Sequence, residues 1–187
     1  LVLEPGPVAP VAGVTLQSID RQAQGSPADR LFDIPEPRDW EGIVIHDAGA
    51  ERGSAATIAR QHRELGKDGL GYHFVVNNGS LKADGLIEIG YRWRRQEAGA
   101  YLAGDGSKRF NERFIGISLI GDGDARSFTK DQMRELVWLV NELQQRFNLP
   151  RRKVFVDVSR DSAPAGTFPH AWFRKQLLRP TRTASAR

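Results

Sequence analysis

The stretch GIVIHDAGA, residues 42–50, runs four apolar or small residues straight into His46 and Asp47. A buried strand that ends on a histidine delivers an imidazole to a site. There it can ligate a metal, or serve as a neutral hydrogen-bonding group lining a groove. In the second role its candidate partners are Asp47, Asp157 or water. Tyr72 and His73 are neighbours in GYHFVV, so on a strand they point to opposite faces, and a groove that receives Tyr72 excludes His73. His62 falls on the apolar face of a helical pattern and reads as a packed core histidine. His170 opens the last helix, at the surface, and neither histidine has the spacing of a ligand pair with His46. The chain has no cysteine, so disulfides and thiolate metal sites are excluded. The segment IGDGDARSF is acidic and glycine-rich but lacks EF-hand spacing, and it reads as a turn.

The elements that must position these residues alternate between strand and helix. GIVIH reads as a buried strand. Ser54 can N-cap a helix that carries Ala55, Ile58, His62 and Leu65 on one face and stops at Gly66. GYHFVVNNGSLKAD reads as a hairpin turning at NNGS, with Tyr72, Phe74 and Val76 on one side. FIGISLIGD alternates Ile115, Ile117 and Leu119 with small Gly116 and Ser118. Thr129 and Gln132 form a capping box. A long helix follows with Met133, Leu136, Val137, Val140, Leu143 and Phe147 inward, ending before Pro150. KVFVDV is a further strand and PHAWFRKQLL an amphipathic helix. This order predicts an α/β fold, a central mixed β-sheet flanked by helices.

Bulk properties set the frame. The chain has 187 residues, enough for one domain with a real core. Residues 1–37 read as an extended, Pro/Gly-rich arm, with PADRLFDIPEPRDW continuing irregularly to Trp40. Residues 38–179 read as the patterned domain and 180–187 as a flexible tail. No apolar run approaches the roughly 20 residues that span a bilayer. A net charge of +4, from 27 basic and 23 acidic residues, admits an anionic polymer as partner, such as a cell-wall glycan. No nucleic-acid recognition motif accompanies the charge.

Taken in order, IVIHDAGA, the block from SAATIARQH to SLKADG, EAGAYLAG, FIGISLIGDGD and FTKDQMRELVWLVNELQQRFNLP resemble the type 2 N-acetylmuramoyl-L-alanine amidases and the peptidoglycan recognition proteins. The resemblance covers about residues 40–178, and GYHFVV and IGISLIGD are its most specific pieces. It implies the mixed-sheet fold, peptidoglycan as ligand, and a location in the periplasm or outside the cell. In active members it also implies a zinc that hydrolyses the amide between N-acetylmuramic acid and L-alanine. His46 matches the first zinc ligand, and Tyr72 matches a tyrosine that assists catalysis. The later ligands depart from the pattern. Asp157 stands where the second histidine falls, Ala163 where a cysteine or aspartate falls, and Tyr101 replaces a groove histidine in GAYLAG.

The resemblance therefore implies a binding domain for peptidoglycan or muramyl peptides that has lost its catalytic zinc. Tyr72, Trp93, Arg94, Arg95 and Tyr101 are its expected ligand contacts, with Arg92 beside them. Aromatic faces stack on sugars, and arginine forks match stem-peptide carboxylates. Trp93 packed against the sheet, among merely solvated arginines, is the alternative for that segment. No metal is favoured, because zinc affinity needs several donors acting together. If a cation binds, its ligands are His46, Asp157 and Asp161, a harder and weaker set than the family's, and His46 and Tyr72 are then catalytic. The rival functions are an active amidase with that altered metal site, and a structural or protein-interaction scaffold.

Overall fold

The computed structural model describes residues 27–104, 106–123, 127–157 and 168–178. The expectations for residues 1–26 of the arm, for Asp161 and Ala163, and for the 180–187 tail lie outside the described residues.

Five strands form one mixed sheet in the order β3-β2-β4-β1-β5. They are β1 (Gly42–Asp47), β2 (Phe74–Val76), β3 (Ile87–Ile89), β4 (Phe114–Leu119) and β5 (Val154–Asp157). Only β3 runs antiparallel to its neighbour. The helices are α1 (Pro27–Leu31), α2 (Ala55–Glu64), α3 (Tyr91–Arg94), α4 (Ser107–Arg113), α5 (Lys130–Phe147) and α6 (His170–Gln176). Central parallel strands are covered on both faces, which is why β1 and β4 read as nearly continuous apolar runs. On one face Ile43, Ile45, Ile115, Ile117 and Leu119 meet Met133, Leu136, Leu139, Val140 and Leu143 of α5. On the other, Val44, Val75 and Phe114 meet Ile58 of α2, with Tyr72 and Tyr101. The second face is the one His46 shares, since it lies two residues beyond Val44.

Helix starts and stops follow the sequence signals. Thr129 Oγ1 accepts from Gln132 N at 3.0 Å, and α5 ends on Asn148 with φ of 50°. Gly66, at φ of 76°, follows α2. Leu65 is not on the buried face of that helix: it is 74% exposed. The hairpin partner of β2 is not the segment after NNGS but β3, beyond residues 77–86. Pro27–Leu31 is helical rather than irregular, and Leu31 is buried in the α5-side core.

His73 extends the sheet past the end of β2. Its backbone N donates to Gly116 O at 2.9 Å, while its Nδ1 accepts from Gly116 N at 2.8 Å. The imidazole thus stands in for a main-chain acceptor. Nε2 lies 3.1 Å from Glu97 O and carries the ring's proton when it donates there. Burial holds this imidazole at a pKa of about 4, against a partial upward pull from the Glu97 carbonyl. In the unfolded chain the group returns to its ordinary value near 6.5, so the unfolded state takes up a proton first. The contribution of His73 to stability is full above pH 6.5 and is lost as pH falls from there to about 4. Urea midpoints of wild type and His73→Gln measured across that range should converge toward acid; parallel curves would contradict this assignment.

Candidate functional site

Register places one row of residues across the middle of the sheet. Val75 pairs with Ser118, Ser118 with His46, and His46 with Asp157. His46 is 6% exposed, and its Nδ1 lies 3.1 Å from Tyr72 Oη. When the phenol donates, the imidazole is neutral with its proton on Nε2. Asp47 is engaged elsewhere: its carboxylate accepts from Gly49 N at 3.2 Å and Gly123 N at 2.9 Å, which shapes the loop after β1. Tyr72 is thus one partner of His46, a pairing absent from the set read in the sequence.

Tyr72 reaches the His46 face because the chain bends at His73 before β2 begins. The bend breaks the two-residue period, so Tyr72 packs with Val75 rather than with Phe74 and Val76. Its ring stacks on Tyr101 at 5.5 Å and 16°, and His62 lies 5.7 Å away. His46 meets both tyrosines edge-on, at 5.8 and 5.6 Å. His62 is the packed histidine expected, its Nδ1 accepting from Gly71 N at 2.9 Å. The residue that fixes the cluster is Tyr101, 1% exposed. Its hydroxyl lies 2.8 Å from Phe110 O and 3.0 Å from Phe114 O, and burial pushes its pKa up, so it stays a neutral donor. Two glycines make room for its ring. A Cβ on Gly116 would come within 2.4 Å of it, and one on Gly99 within 2.5 Å. Beside His46 stands Ser118, whose Oγ is buried with no hydrogen-bond partner among the described residues.

Several expected contacts lie elsewhere. Trp93 is fully buried on the α5 face, where its Nε1 donates to Leu31 O at 2.7 Å. It is a core residue and offers no ring to a sugar. Tyr101, equally enclosed, shapes the site without presenting a face. Arg92 is consumed by Leu70 O at 2.9 Å and Ala98 O at 2.8 Å. Arg94 reaches Arg30 O at 3.2 Å and lines a 560 Å³ groove with Leu31, Ile87, Ile89 and Trp138 on the α5 side. Arg95 is exposed and lies 3.7 Å from Glu97. Both follow β3, three strands from β1, which is about 14 Å of sheet. The structure thus brings His46, Tyr72 and Tyr101 together with Asp157 in register, and leaves Trp93, Arg94 and Arg95 apart. A cavity of 330 Å³ opens beyond the C-terminal ends of β1, β2 and β4, lined by polar Arg52, Asn78, Ser80, Asp122 and Thr129 and by apolar Ile120 and Phe128. Ligands of open α/β sheets bind outside those ends.

Catalytic zinc requires three protein donors and an open position. Among the described residues, no three histidine, aspartate or glutamate side chains gather as metal ligands do. His46 and the register position of Asp157 are two candidate donors, and the third that the sequence offers, Asp161, lies outside the described residues.

Residues 36–176 match the family model of the N-acetylmuramoyl-L-alanine amidases, Amidase_2, and the chain belongs to that family. Among solved structures it is similar to the N-acetylmuramoyl-L-alanine amidase LysC from Clostridium intestinale URNW, at 23% identity with a TM-score of 0.59, over 74% of this chain and 85% of that one. It is also similar to AmpD, at 19% identity and a TM-score of 0.55, over 75% and 86% of the two chains. The bumblebee peptidoglycan recognition protein PGRP-SA shares 19% identity at a TM-score of 0.53, over 74% and 81%. These likenesses are of fold. No curated protein matches the chain.

Gly116→Ala should destabilise the protein by about 1–3 kcal/mol, because its methyl meets the Tyr101 ring. Replacing Tyr101 with Leu in that variant should recover part of the loss in urea melts. An unchanged midpoint for Gly116→Ala would contradict the packing described.

Proposed function

We propose that the chain holds peptidoglycan, seating a muramyl peptide at His46 and Tyr72, in an amidase-family site that has lost its catalytic zinc. The observation that carries this reading is the 3.1 Å contact between His46 Nδ1 and Tyr72 Oη. It commits one nitrogen of the sole matching ligand to a protein hydroxyl and turns the ring into a fixed hydrogen-bonding group. Ala163 adds support from the sequence, since a methyl stands where the family pattern supplies a donor. An imidazole beside a phenol suits the amide and hydroxyl groups of a glycopeptide, which ask for both donors and acceptors. The cavity beyond the strand ends, with Arg52, Asn78 and Ser80, offers polar groups to the stem peptide. Tyr72 orients His46 and contacts the ligand; no bond is broken. A protein with this ligand works in the periplasm or outside the cell. No described helix is long and apolar enough to cross a membrane.

The second reading, an active amidase with an altered metal site, draws on one observation: Asp157 is the register neighbour of His46. Its carboxylate would then join His46 as a donor, with Asp161 as the third. The two readings part on chelation. Calorimetric titration with an N-acetylmuramyl peptide should give the same affinity before and after chelator treatment, and His46→Ala or Tyr72→Phe should weaken it about tenfold or less, the worth of one ordinary hydrogen bond. Binding that vanishes with chelator and returns with zinc would favour the enzyme.

A further inference from the structure

Positive charge is concentrated toward the C-terminal end of the sequence. Up to residue 147 there are 18 lysines and arginines against 21 acidic residues; from residue 148 onward there are nine against two. The net charge of +4 is therefore −3 before that point and +7 beyond it. A split of this kind points to an anionic surface as partner. The fold gathers part of the charge on one patch. Arg151–Lys153 form a 3-10 turn ahead of β5, and Arg151 Nη1 donates to Arg174 O at 3.2 Å, which ties that turn to the end of α6. Lys153 faces the Phe114 ring instead. On α6, Phe173 is buried in the core on the α5 side, as is Leu177 just past the helix. The sides turned to solvent carry Trp172 and Lys175, one turn apart, and Arg174. Among the described residues, no carboxylate lies within ion-pair distance of Arg151, Arg152, Arg174 or Lys175. Set among these cations, Trp172 is 44% exposed and Leu178 is 42% exposed.

We propose that this patch docks the protein on a membrane surface rich in anionic phospholipid. Charge and polarity together select that occupant. Phosphate headgroups complement Arg151, Arg152, Arg174 and Lys175, and Arg179, Arg182 and Arg187 follow in sequence with the same sign. An exposed leucine gains nothing from a fully hydrated polyanion, whereas Leu178 gains from the boundary between headgroups and acyl chains. The indole of Trp172, apolar in body and polar at one edge, suits the same depth. A basic patch and apolar anchors are two weak signals that give attachment together where either alone is marginal. The consequence is an orientation. α6 packs on the α5 side of the sheet, and Tyr72 with its contact to His46 lies on the other. A protein held by α6 turns its His46 face away from the lipid. This attachment does not depend on what the His46 site binds.

The test sediments the full chain with vesicles of phosphatidylcholine alone, and with vesicles of equal parts phosphatidylcholine and phosphatidylglycerol. The mixed vesicles should carry the protein down, the neutral ones should not, and high salt should release it. Arg174→Gln with Lys175→Gln should weaken partitioning on the order of tenfold or more. Arg60→Gln with Arg63→Gln removes equal charge from the exposed side of α2 and should change partitioning by about twofold or less. Tryptophan emission should shift to the blue on the mixed vesicles, and Trp172→Phe should abolish the shift, since Trp40 and Trp93 are buried. Equal sedimentation with neutral vesicles, an equal loss in the α2 variant, or an unshifted emission on bound protein would overturn the proposal. Failure to sediment with the mixed vesicles would overturn it too, and tight binding to soluble duplex DNA would then assign the patch to a solvated polyanion.

Discussion

Tyr101 lies so close to β4 that any side chain larger than hydrogen at Gly116 would collide with its ring. That contact orders the whole site face. With its hydroxyl fixed to the carbonyls of Phe110 in α4 and Phe114 at the start of β4, the ring becomes a rigid wall. Tyr72 stacks on the wall, and its phenol is delivered to His46. Two glycines, two tyrosines and a histidine therefore act as one packed unit, because protein interiors leave no slack to absorb a misplaced ring. The unit faces away from α5, so the long helix can stabilise the sheet without competing for the site.

The same unit sets the surroundings of His46. Its imidazole lies against the Tyr72 hydroxyl and is met edge-on by the two tyrosine rings. The fold is that of the amidase family, and the end of its first strand is packed among aromatic rings.

Much of this was legible in the residues, and the parts that were not have physical reasons. The alternation in FIGISLIGD gave both faces of β4, because a central strand under helices repeats with period two. The Thr129–Gln132 capping box is equally local, and the helix start forms it. A two-residue period carried through His73 puts Tyr72 on the side of Phe74, but the chain bends at His73 and the period breaks there. For Trp93 the residues leave a sugar platform and a ring packed on the sheet both open, and its contact with Leu31, 62 residues away, which no local pattern encodes, places it in the core. The partner of β2 was misplaced for a similar reason, since NNGS is a good turn but the strand that buries Phe74 and Val76 comes later.

The central claim is that this site holds its polymer without cutting it. The most direct measurement incubates the full chain with purified peptidoglycan and excess zinc, then assays sedimented protein and free stem peptides by mass spectrometry. Protein that co-sediments and liberates no L-alanine-terminated peptide is the predicted result. Stem-peptide release that disappears in His46→Ala would contradict it.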